Sequence, residues 1–502
     1  MPSTPSEMRC PTACLHSLSI NHERVPPNDN TLSVDDTFSE WLNSAFPPTD
    51  LNTNITKELL QPLEESTSHE LPLPEETVVA LPEPQTVTLK IAYDPMIQLY
   101  YQNFHPSHPI MIPRKALNSL YSLIPPQMFH VMRYIGAHYY PDQSLQQGLR
   151  QAAFSCLSDQ SIQDGFRVQA LLLLAIADHS HCQQQSAHQL MQTAIDLALK
   201  IGMNLTPFAR EHSHGHPVVE ESWRRTYWEL YVVEGLIAAT HDQTSSRLYH
   251  QLATVHLPCD ERMYDHCNVI PSGQALHDLK SQSALDQTFS TFAYRISAVQ
   301  AVGTVLELNR SLERSYDSHV ETIDAHLSSS LMELPSLHGD GYDSSYIDEM
   351  VFQTQMTLYL ALIYLHHPRS SMQFASFRIS PPTSCTRMES SSQIDLPCST
   401  QSSQPLDIHS HKLLRAADLL SGLATLPSPI QRRSPFFTCA LAMCIIVHTA
   451  ARLLGANDEK KEAIESRIQL GFGALKVLGK VWPLPSNVRM QMVDMYQEVA
   501  KR

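Results

Sequence analysis

The chain has 502 residues, 42% of them hydrophobic, with 15 glycines and 34 prolines. That is enough apolar material for a sizeable core and too little glycine for turn-dense β architecture. The formal net charge of −16 argues against the basic footprint that gripping DNA phosphates unaided would demand.

The acidity is concentrated at the start. Residues 1–90 carry 14 acidic against 4 basic residues, along with 12 prolines and few aliphatics. Such a stretch cannot bury enough apolar surface to offset its ordering entropy, so a disordered acidic tail is expected. Within it, Phe38, Trp41, Leu42 and Phe46 share one helical face flanked by Asp35, Asp36 and Glu40. Acid keeps such aromatics exposed, and a short amphipathic helix of this kind can fold into a partner's groove as an activation segment.

From residue 91 to 368 the apolar spacing predicts helix after helix. Helices are expected over 128–140, 144–157, 166–178 and 187–201, the last closed by Gly202 as a C-cap. The 166–178 segment, FRVQALLLLAIAD, is apolar on nearly every side and is expected at the centre. A His-rich loop, EHSHGH, places His212, His214 and His216 in alternation. Alternating imidazoles can hold zinc or copper when rigidly framed, but Gly215 loosens this loop and no second ligand group stands near, so a solvated loop is expected. Further helices are expected over 285–314, with a break near Gly303, and over 320–334 and 346–366. The last of these ends on His366-His367, where imidazolium suits a helix C-terminus.

Residues 369–408 are rich in Ser, Pro and Thr and are expected to form a disordered linker. Helices resume over 411–426, 435–454, 459–482 and 487–499, packed on the same domain. The fold class predicted is all-α. No apolar run reaches membrane-spanning length, so no membrane contact is expected. The ten cysteines are scattered and no signal peptide is read at the start, so free thiols in a reducing compartment are expected. No Gly-rich phosphate loop, His-Glu-x-x-His or nucleophile elbow occurs. Neither enzymatic activity nor a cofactor or metal site is expected.

The most informative stretch is 220–261. Trp223, Tyr227, Leu230, Tyr231 and Glu234 fall along one side of a helix, with Arg224 and Arg225 beside them. Trp228 and Glu229 lie four residues beyond the arginines, so an i+4 ion pair at the helix rim is expected, with an arginine stem packed on an aromatic. A polar-flanked Leu257-Pro258-Cys259-Asp260 follows.

Four blocks in order carry a family resemblance: YQNFHPSHPIMIPRKAL, VQALLLLAIADHS with AHQLMQTAIDLALKIGMN, EESWRRTYWELYVVEGLIAA, and VHLPCDE. Together they resemble the regulatory middle domain of fungal zinc-cluster transcription factors. Glu234 stands where that family usually has Asp. The signature residues are Trp223, Arg224, Arg225, Tyr227, Trp228, Tyr231, Pro258 and Cys259, and a structural role is expected for them. The resemblance implies a nuclear transcriptional regulator of a metabolic or secondary-metabolite gene cluster, and it allows a small-molecule effector. The family's DNA reader binds zinc through paired Cys-x2-Cys motifs. No Cys-x2-Cys occurs in these residues, and Cys10 and Cys14 are expected to be unligated. Direct DNA binding is therefore not expected of this chain alone, and its partners would be the transcription machinery or a DNA-binding regulator. The alternative is a helical scaffold with no role in transcription.

Overall fold

The computed structural model describes residues 91–501 apart from 92, 156, 160, 242–245, 268–270, 272, 280–288, 311–316, 339–346, 373–406 and 454–457. The expected tail, with Phe38, Trp41, Leu42 and Phe46, lies outside the described residues, as do Cys10, Cys14 and most of the 369–408 segment. Among the described residues the elements are helices, with no strand, as the apolar spacing predicts. The described residues group into one compact unit.

The helices run in chain order: α1 Pro95–Leu99, α2 Pro126–Gly136, α3 Gln146–Ser155, α4 Gly165–Ser180, α5 Gln184–Lys200, α6 Thr206–Glu211, α7 Pro217–His241, α8 Glu261–Asp265, α9 Leu276–Leu279, α10 Thr291–Arg310, α11 Asp317–Met332, α12 Glu349–His366, α13 Ile408–Gly422, α14 Phe437–Arg452, α15 Asp458–Leu478 and α16 Pro483–Ala500.

Local chemistry sets their ends. Asp94, Asp164, Asp348 and Asp407 cap α1, α4, α12 and α13, each side chain accepting from an otherwise unpaired amide in the first turn. Proline opens α2, α6 and α16, where its missing N–H costs nothing. Gly202, at φ 76°, takes the left-handed position after α5. The Met203 and Gly202 amides then reach back to the Ala198 and Leu199 carbonyls at 2.9 and 3.2 Å, a Schellman closure.

Three apolar clusters hold the helices. The first gathers the faces of α1, α2, α4, α5 and α7, and it takes in Met350, Phe436 and Trp482 from later in the chain. The second lies among α12 to α16. The third joins α10, α11 and α12. The α4 segment is central as its composition predicts, with Leu171 to Ala177 all buried.

Two expectations need correction. Helix α10 runs unbroken through Gly303. The glycine admits a neighbour and does not end the helix: a Cβ there would stand 2.4 Å from Tyr249 Cε2. The cysteines are also not uniformly free. Cys182, Cys259, Cys267 and Cys444 are free thiols, but Cys439 is disulfide-bonded, a pairing set by which thiol lies opposite and not by composition.

Candidate functional site

Helix α7 is amphipathic only weakly, because nearly every side chain from Glu221 to Ala238 is buried. A helix buried all round must find internal partners for each polar group it carries. The indole Nε1 of Trp223 donates to the His212 carbonyl at 3.0 Å, and that of Trp228 donates to the His256 carbonyl at 2.8 Å. Tyr227 and Tyr231 fill the same core. Trp223 meets Phe166 edge-to-face at 4.8 Å, which ties α7 to the start of α4.

Arg225 is fully buried. Its Nε donates to Glu221 Oε1 at 2.9 Å, its Nη1 to both Glu261 oxygens at 2.8 Å, and its Nη2 to the Cys259 carbonyl at 2.8 Å. Its guanidinium lies 4.1 Å from the Tyr264 ring centre. Glu221 Oε1 in turn accepts the Cys259 amide at 2.8 Å. The Pro258 carbonyl accepts the Ser290 hydroxyl at 2.7 Å. The Leu-Pro-Cys-Asp segment is thus a strap held to α7 by an arginine and a glutamate one turn apart. Burial pushes the Cys259 thiol up to about 12, so it is neither a nucleophile nor a ready metal ligand at neutral pH.

The arginines do not pair forward with Glu229 at a rim, as the spacing suggests. Arg224 reaches back to Glu220 and, at 3.2 Å, to Glu221, and Arg225 also reaches back one turn. Helical Cα–Cβ bonds lean toward the N-terminus, which favours the backward partner.

Glu229 has other partners. Its Oε1 lies 2.7 Å from His108 Nδ1, and Arg295 of α10 donates to Oε2 at 2.5 Å and Oε1 at 2.9 Å. His108 Nε2 continues to the Ser434 hydroxyl at 3.2 Å. The neighbouring Ser107 donates to Glu349 at 3.0 Å, and Glu349 also pairs with Arg433. The His-Pro block before residue 117 therefore joins α7 to the first turn of α12 and the approach to α14. Glu234 accepts the Arg247 and Leu248 amides at 2.8 and 2.9 Å, which orders the turn after α7.

Sequence reasoning missed His108, Glu221, Glu261, Arg295, Glu349 and Arg433, and it gave Glu229 the wrong partner. One signal was present: Arg295 is a single cation in the apolar run TFAYRISAVQAV, and a buried cation requires a buried acid. Burial would raise the Glu229 carboxyl, but Arg295 and then His108 outweigh it and hold it at about 2. Its folded-state value lies below the unfolded one, so this stabilisation is present above the unfolded value and lost as pH falls through the folded one. We expect acid unfolding to steepen between about pH 4 and 2, and Glu229→Gln to remove that part of the profile in a circular-dichroism titration.

The cleft between α7 and α10, lined by Tyr231, Gly235, Tyr249, Val299 and Gly303, has a volume of about 20 Å³, room for one water. Of the histidine triplet, His212 bonds the Phe208 carbonyl at 3.0 Å and stacks on its ring. Among the described residues no three His, Cys, Asp or Glu side chains converge as a metal site, and no helix is long and apolar enough to cross a membrane.

Residues 97–332, which include the whole α7 and strap assembly, match the fungal specific transcription factor domain. The chain is 30% identical over 423 residues to the C6 finger domain transcription factor iacK of Pestalotiopsis fici, covering 83% of this chain and 60% of that protein. It therefore spans about three fifths of that relative's length. No solved structure matches. The family and the relative are transcription factors, not enzymes. These comparisons mark residues 97–332 as a fungal specific transcription factor domain, in a chain similar to a C6 finger domain transcription factor along most of its length.

Proposed function

We propose that this chain regulates transcription in the nucleus, acting on a metabolic or secondary-metabolite gene cluster through a DNA-binding partner. The observation that carries the reading is the family match over 97–332, supported by the likeness to a transcription factor along most of the chain. The acidic balance of these residues favours DNA contact supplied from outside them, in this reading by a partner. In this reading residues 91–368 and 409–502 work as one helical regulatory body, joined by the 369–408 linker. The signature residues Trp223, Arg224, Arg225, Tyr227, Trp228, Tyr231, Pro258 and Cys259 hold that body together and do not touch an effector. Their burial and mutual bonding favour this assignment. Residues 1–90, with Phe38, Trp41, Leu42 and Phe46, supply the activation contact.

The test joins two readouts. Residues 1–90 fused to an unrelated DNA-binding domain should raise reporter output, and losing Trp41 should abolish the rise. Deleting the gene should change the transcripts of a contiguous gene set. A tagged chain confined to the cytosol, with transcripts unchanged on deletion, would establish the scaffold alternative instead.

A further inference from the structure

The connection from α13 to α14 contains two 3-10 turns, Leu423–Thr425 and Ile430–Arg432, joined by Leu426-Pro427-Ser428-Pro429. A residue that precedes proline is pushed out of the helical region. Leu426 accordingly lies at φ −65°, ψ 143°, and Pro429 lies at φ −59°, ψ 113°. The joint is extended at both ends, with Pro427 and Pro429 exposed and Ser428 half-buried between them.

Positive charge stands at the Ser428 hydroxyl. Arg433 Nη2 donates to Ser428 Oγ, and Nη1 of the same guanidinium donates to Glu349. The Phe352 ring, its centre 3.9 Å from the guanidinium carbon, supports this arrangement. Arg432, one residue earlier, is exposed, and partial burial lowers its pKa with no carboxylate to offset it. A neutral hydroxyl draws little on two guanidinium groups. A phosphate would accept from both, in the fork geometry that arginine offers.

Three Ser-Pro or Thr-Pro pairs lie in the described residues, and the fold separates them. Ser434, before Pro435, is buried. Thr206, before Pro207, is exposed, but its hydroxyl is committed to the Thr254 carbonyl at 2.5 Å. Ser428 combines a reachable, extended backbone with an arginine on its oxygen.

We propose that Ser428 is a phosphorylation site for a kinase that reads serine followed by proline, and that its phosphate draws Arg433 away from Glu349. In the transfer, Ser428 Oγ bonds to the γ-phosphorus of a nucleoside triphosphate. The bond from that phosphorus to the bridging β-phosphate oxygen breaks, the nucleoside diphosphate leaves, and the hydroxyl proton passes to solvent. Phosphoserine carries about −1.5 to −2 charges at neutral pH and three strong acceptor oxygens. Glu349 carries one charge and faces the same guanidinium, so the phosphate, with Arg432 as a second donor, wins the competition. Glu349 is left to the Ser107 hydroxyl and the Gln353 amide, 3.0 and 3.1 Å away, opposite a new dianion. Ser107 also holds the Arg432 carbonyl at 2.9 Å, and Gln353 holds the Ser107 carbonyl at 3.0 Å. The modification therefore loosens the junction of residues 107–108, the first turn of α12 and this loop.

The test treats the full chain with magnesium ATP and a Ser-Pro-directed kinase and locates the phosphates by peptide mass spectrometry. Phosphate should appear on Ser428 and not on Ser434. Amide hydrogen exchange should then rise about ten-fold around Ser107 and in the first turn of α12, the effect of losing one charge-assisted hydrogen bond. A phosphatase should return it to the starting rate, a comparison that needs no variant. Kinase-treated Ser428→Ala, which keeps the other Ser-Pro and Thr-Pro pairs, should show no rise. Phosphorylated Glu349→Gln, which lacks the competing charge, should lose most of it. No phosphate on Ser428, phosphate on Ser434, exchange unmoved by phosphate on Ser428, the same rise in Ser428→Ala, or an undiminished rise in Glu349→Gln would each overturn the proposal.

Discussion

Replacing Arg225 by alanine should destabilise the protein by about 3–5 kcal/mol, the range for breaking a buried ion pair from one side. The substitution leaves the Glu221 and Glu261 carboxylates and the Cys259 carbonyl without their shared donor. An unpaired buried carboxylate must be either protonated or hydrated, and either outcome loosens the strap. Arg224→Ala is the control. Arg224 also pairs with two glutamates, but Glu220 is partly exposed, and water can replace the arginine there. Its expected cost is about 1 kcal/mol. Urea midpoints for the two variants should therefore separate clearly. If they coincide, the strap is not held by Arg225, and the signature arginines need another explanation, such as contact with a ligand.

The second large effect is expected at Arg295. Arg295→Ala strands Glu229 in the core with His108 as its remaining partner and should also cost about 3–5 kcal/mol. The informative variant is the double one, Glu229→Leu with Arg295→Met. It removes both charges and keeps the volume apolar, and a buried pair replaced in this way is often neutral or stabilising. The double variant should recover most of the loss, giving a coupling between the two sites that simple addition does not produce. If each single variant costs little and the double costs their sum, the Glu229–Arg295 pair is not a structural clamp. Because His108 links Glu229 to Ser434, Arg295→Ala should also raise amide exchange at the start of α14.

The helical elements were legible because their cause is local. The all-α class, the central place of 166–178, the glycine closure after α5 and the resumption of helices beyond the Ser/Pro-rich segment, expected from 411, all follow from apolar spacing and capping chemistry. The Gly303 misreading has an equally physical origin. Glycine lowers helix propensity, and the chain alone does not show that an aromatic ring occupies the space left by the missing Cβ.

The sequence by itself determined that α7 would carry two arginines among aromatics in a helical core, and that nothing in the chain displays the spacing of a known catalytic motif. Only the tertiary structure decided whom the charges meet. Glu229 finds His108 at 121 positions' distance and Arg295 at 66, and His138 finds His181 at 43. Helical periodicity fixes the face a side chain occupies within a turn or two. The partner across the core depends on how whole helices dock, and that is settled by the summed packing of their apolar faces.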